Sequence, residues 1–160
     1  MGSAQASVEF LVLVTFFIVF LIPIVAIMFN LSGEKADESA MVQAHRAGRS
    51  LADGADEVYF QGSGATKIER LFFPSKIKQV TFEPVNIGLD SWGEITISMA
   101  TTYGDTDVVF MTTAPLRVDP SDSAYWSNPD NFGGGTKNVR LSYGINPSSG
   151  VPEVVVKHEN

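Results

Sequence analysis

The chain has 160 residues and a mass of 17.3 kDa, enough for one globular domain with an appendage. Eleven Lys and Arg against 18 Asp and Glu give a net charge of -7 with no basic block, which argues against nucleic acid as a partner, because phosphate contact needs clustered cations. No cysteine is present, so disulfide scaffolds, CxxC redox sites and cysteine-ligated zinc are excluded. From Phe10 to Phe29 the chain reads FLVLVTFFIVFLIPIVAIMF, twenty residues without a charge and with Thr15 as the single polar member. As a helix this run spans about 30 Å, the thickness of a bilayer core. It is apolar on every side, so it requires lipid or deep burial in an assembly. The run exceeds a signal-peptide core and ends in MFNLSGEK, without a small-residue cleavage pattern, which argues for its retention. Pro23, two-thirds along, removes one backbone hydrogen bond and predicts a helix kink. The nearest cations, Lys35, Arg46 and Arg49, all lie after the run, a bias that taken alone favours a cytoplasmic body.

One carboxylate, Glu9, stands at the edge of the apolar run. A charge there costs on the order of a few kcal/mol at mid-bilayer and less near the interface, so it calls for a partner. A chain cut between Ala4 and Gln5 has a free amine four residues before Glu9. That is one helical turn, close enough to neutralise the acid in its own chain or in a neighbour.

Gln5-Ala6-Ser7-Val8-Glu9-Phe10, running into an all-apolar helix, resembles the Q-x-S-x-E-[FY] start of archaeal type IV pilins with class III signal peptides. The later stretches LADGADEVYFQGSGA and KIERLFFP are similar to the segments after the helix in many short euryarchaeal members, so the resemblance covers about residues 5 to 75. It implies that a prepilin peptidase cuts between Ala4 and Gln5 on the cytoplasmic side, leaving 1–4 as a leader remnant, and that the apolar helix is kept. Glu9 is then the carboxylate that registers each new subunit against the last. The implied product is a structural homo-oligomer: a helical filament on the cell surface, built by pilus machinery from a precursor in the cytoplasmic membrane. Its implied use is surface attachment or cell contact. The residues alone leave an alternative open, a single-pass membrane anchor carrying an extracellular β-sandwich that binds or adheres.

Beyond Gly33 the composition changes. Residues 34–60 place small or apolar side chains at 36, 40, 44, 47, 51, 55 and 58, an amphipathic stripe suited by its alanines to close packing. The expectation is one long, interrupted helix over 5–60, bent or broken at Gly33 and weakened by Gly48 and Gly54 by roughly 1 kcal/mol each. From 66 to 160 the signals are β. Lys67–Phe73, Lys76–Glu83, Glu94–Ala100, Asp107–Thr112, Asn138–Tyr143 and Pro152–His158 are short runs rich in Val, Ile, Thr and aromatics, separated by Gly and Pro breakers. The predicted fold is therefore α+β: a long hydrophobic N-terminal helix followed by a small antiparallel sheet or sandwich, one face against the helix.

The segment from Asp119 to Lys137, DPSDSAYWSNPDNFGGGTK, is too long for an ordinary loop. Its Tyr125, Trp126 and Phe132 are candidates for a surface contact, or for a small core of their own. Its acids and amides read as a solvated turn rather than a calcium site, since the EF-hand register is absent. His45 and His158 are too far apart in sequence to suggest a pair, and no G-x-S-x-G is present. No catalytic set, metal site or cofactor is called for, and the reading is non-enzymatic. Asn30-Leu31-Ser32 is the chain's single N-x-[ST] sequon without proline, which makes Asn30 a candidate glycan acceptor.

Overall fold

The computed structural model describes residues 2–87 and 90–159, without the side chains of 2–7, 30, 86, 87 and 90. The chain divides into two compact units, Met1–Glu38 and Ser39–Asn160. Helix α1 covers Gly2–Gln61, sixty residues, and its assignment passes through both Pro23 and Gly33. The break expected at Gly33 is absent. A lone glycine costs about 1 kcal/mol in a helix, too little to stop one flanked by good helix formers. In the first unit the Thr15 hydroxyl donates to the Leu11 carbonyl at 2.8 Å, so the single polar side chain of the run is satisfied locally. Phe16 and Phe20, one turn apart, have ring centroids 5.0 Å apart.

The second unit is built on the predicted stripe. Ala40, Ala44, Ala47, Leu51, Ala55 and Val58 are all buried, whereas Ala36 is exposed. The two glycines read as weak points are points of closest approach. A Cβ on Gly48 would lie 2.1 Å from the Phe110 ring, and one on Gly54 would lie 2.9 Å from Leu141 Cδ1. Tertiary packing here overrides helix propensity. The helix ends where Gly62, at φ 80°, donates its N–H to the Val58 carbonyl, a left-handed cap that glycine adopts freely.

Seven strands come after it: β1 Thr66–Phe73, β2 Ile77–Ile87, β3 Asp90–Thr101, β4 Gly104–Thr112, β5 Leu116–Val118, β6 Gly135–Ile145 and β7 Pro152–Glu159. They form two sheets, β1-β6-β7-β5 and β2-β3-β4. The six predicted strands are present, each somewhat longer than read. Strand β5 was not predicted, and it pairs parallel to β7 through Leu116↔Val154, whereas every other described pairing is antiparallel. Side chains alternate in and out. Phe82, Ile95, Ile97 and Val108 face the core from the three-stranded sheet, and Leu71, Leu141, Val154 and Val156 from the four-stranded one. Each fully buried aliphatic contributes about 1.5–3 kcal/mol, so the helix stripe and both sheets share one core.

Residues 119–137 are more ordered than their length predicts. They hold a helical turn, α2, over Ser123–Trp126 and a 3-10 turn over Pro129–Phe132, capped by the Asn128 side chain accepting from the Asp130 N–H. The glycine run then passes into β6, with Gly134 and Gly135 at φ 87° and 122°.

Candidate assembly segment and the polar groups of the domain

The first candidate site is the apolar part of α1 itself. It is long and apolar enough to cross a membrane, and the most apolar 18-residue window has none of its residues buried inside the protein. Glu9 is exposed at its edge. Among the described residues it has no ion-pair partner within its own chain. The backbone at Ala4 and Gln5 is helical, but their side chains lie outside the described residues, and so does that of Asn30. Asn30 sits inside α1 rather than at a helix end. Pro23 deprives the Val19 carbonyl of its usual helical donor, while the helix assignment continues past it.

The loop aromatics are placed differently from the contact surface considered for them. Phe132 is 0% exposed and Trp126 2%, and Tyr125 is half-buried. Phe132 meets Phe73 edge-on at 5.6 Å, and Trp126 meets Phe82 edge-on at 5.0 Å. A partner cannot reach Trp126 or Phe132, so the surface-contact reading of these two residues is corrected: three aromatics within eight positions bury more area by closing on each other and on the sheets than by facing water. The loop carboxylates also serve the loop. Asp119 accepts from the N–H and hydroxyl of Ser121, which hold its carboxyl below the usual range, and Asp122 accepts from the His158 backbone N–H. No cluster of three metal-ligating side chains occurs among the described residues.

The two histidines stay apart. His45 is exposed and meets Phe110 edge-on at 5.6 Å; His158 stacks on Tyr125 at 3.8 Å. Burial pushes the His158 imidazole below its ordinary value, against the pull of Asp122 and with the help of Lys137. The unfolded imidazole titrates near 6.5, roughly, so the unfolded chain binds the proton more readily. The contribution of neutral His158 is full above that pH and is lost as pH falls towards the lower folded value. We expect the unfolding midpoint to drop between pH 7.5 and pH 5.5 by more in the wild type than in His158→Phe, which keeps the stack without the titration. Equal drops in the two proteins would show that His158 carries none of the pH dependence.

Three polar arrangements were not legible beforehand. The Asp56 carboxylate, from α1, accepts the backbone N–H groups of Thr113 and Ala114 at 2.8 and 3.1 Å, tying the helix to the β4–β5 turn. Glu153, 4% exposed, is held by Arg117 Nε and by the Asn146 amide. Lys67 bridges Glu57 on α1 and Glu69 on its own strand, and these bonds raise its ammonium above the usual range, Glu57 first. Each is a structural tie within the domain. No protein-family model, curated protein or solved structure matches the chain.

Proposed function

We propose that the chain is a structural subunit of a surface filament of the archaeal type IV pilin kind. The single observation that carries this is an apolar helix left wholly uncovered by its own protein, with one carboxylate at its edge, followed by a folded domain with a complete core of its own. The precursor rests in the membrane with the helix in lipid. A peptidase cuts before Gln5, and the new amine of one copy neutralises Glu9 of a neighbour. The helices then leave lipid and bundle while the domain stays outside. Lipid tails are as apolar as these side chains, so bundling draws on packing and on the Glu9 pairing rather than on the hydrophobic effect. The work is assembly, not catalysis, and the filament serves attachment or cell contact.

The second reading is a single-pass anchor that displays the β-domain as a binding module, and the same uncovered helix supports it. Shearing cells and imaging the released fraction separates the two. The filament reading expects this chain in fibres of uniform width. The anchor reading expects it in the membrane fraction alone.

A further inference from the structure

The α1 face left uncovered by the sheets is cationic in one stretch. Arg46 and Arg49 are exposed there. Arg46 and Arg70 line a cleft of about 520 Å³ beside β1, with Gln43 and Ser50 on its walls. On the other flank of the helix Arg46 and Arg49 line a second cleft, of about 800 Å³, against Phe110. Among the described residues neither Arg46 nor Arg70 has a carboxylate within ion-pair distance, and Arg49 reaches Asp53 only at 3.9 Å, both side chains exposed. In a chain of net charge -7, three arginines gathered beside two acids, the loosely held Asp53 and Glu69, which accepts from the Ser50 hydroxyl at 3.3 Å and pairs with Lys67, are a local reversal of sign.

The three-stranded sheet shows the opposite sign on its outer face. Phe82 and Ile95 point into the core, so by strand alternation Glu83 and Glu94 point out. The register sets Glu83 directly across from Glu94, and Glu94 across from Met111. Like charges in directly opposed positions destabilise a sheet. Trp92, Val109 and Met111 are exposed on the same face. Two acids kept side by side among exposed apolar groups weaken the isolated domain, and a cationic partner turns that loss into attraction.

We propose that these two surfaces are the two halves of one contact between copies of this chain: the Arg46–Arg70 cleft of one domain receives the Glu83–Glu94 face of the next. The surfaces are different patches on one domain, so the contact is head-to-tail, and a head-to-tail contact whose rotation does not close generates a helical fibre. The inference rests on the filament reading and adds to it a second interface, built from the domain rather than the rod. Charge sign and the apolar border of the acidic face single out a second copy as the occupant, since its Arg46–Arg70 cleft supplies cations and an apolar wall, Leu71 and Phe72, in one surface.

The test uses the full chain expressed in filament-forming cells. Glu83→Gln/Glu94→Gln removes the repulsion, so the detergent-solubilised monomer should melt higher while the yield of sheared filaments falls at least tenfold; a purely structural role moves both in one direction. Arg46→Glu/Arg70→Glu should lower filament yield as strongly. Combining it with Glu83→Lys/Glu94→Arg should restore filaments. The inference is overturned if either pair assembles at wild-type yield, or if the combined reversal, folded and present in the membrane, recovers nothing. Wild-type cells without filaments would instead overturn the filament reading itself, and the contact with it.

Discussion

Glu9→Ala is expected to leave the chain in the membrane fraction at its normal level and to remove it from sheared filaments. On the proposed reading, insertion is driven by the nineteen apolar residues among the twenty from Phe10 to Phe29, and removing a charge from their edge does not weaken it. Assembly is different. The nearest polar group of the run, Thr15, is already bonded to Leu11 and cannot serve Glu9. A carboxylate taken into a helix bundle without a cation keeps its desolvation cost, whereas an amine about 4 Å away returns on the order of a few kcal/mol at the effective dielectric of a protein-lined boundary. In the proposed filament that term recurs at every subunit added, so its loss stops growth rather than thinning it. Glu9→Asp, one methylene shorter, should give intermediate yields, and Glu9→Gln should behave as alanine does. The comparison is read by immunoblot of membrane and sheared fractions. Normal filaments from Glu9→Ala would remove Glu9 from any registering role.

The second large effect concerns the loop. Phe132→Ala should cost the domain about 3–5 kcal/mol, because the ring is fully buried and its removal leaves a cavity that the neighbouring rings cannot fill. Phe73, Tyr125 and Trp126 lie 5.6, 6.0 and 6.2 Å from it, centroid to centroid, and all three lose a packing partner together. Against a domain stability of about 5–15 kcal/mol this is a large fraction. Denaturant unfolding of the full chain in detergent, followed by tryptophan fluorescence, measures it, since Trp126 reports from the same cluster. A change below about 0.5 kcal/mol, the range of ordinary surface substitutions, would return Phe132 to the surface.

What the sequence disclosed depended on how far apart the interacting residues lie. The apolar run, the 36-40-44-47-51-55-58 stripe and the six longer strands are local periodicities, readable in windows of ten or so residues, and all are present except that Ala36, at the head of the stripe, is exposed. Gly48 and Gly54 read as defects because their use appears only when Phe110 and Leu141 arrive from strands far along the chain. Strand β5 has three residues and a parallel partner 38 positions away, Leu116 to Val154, so neither length nor turn chemistry announces it. The aromatic loop presented both possibilities, and burial settled it for Trp126 and Phe132, since the helical turn at Ser123–Trp126 and the Asn128 cap fold these two rings inward. At the candidate site Glu9 was legible, because a lone charge beside twenty uncharged residues is a one-dimensional signal. The Glu83–Glu94 pair was not: the two acids lie eleven positions apart, and only the β2–β3 register makes them neighbours.

The filament reading stands on the apolar rod being kept and built into a fibre. Intact-mass spectrometry of the subunit from sheared, purified filaments tests this most directly. The predicted mass is that of a chain beginning at Gln5 and retaining Phe10 to Phe29. A subunit that begins beyond Phe29, or a chain found whole in the membrane and in no fibre, would contradict it.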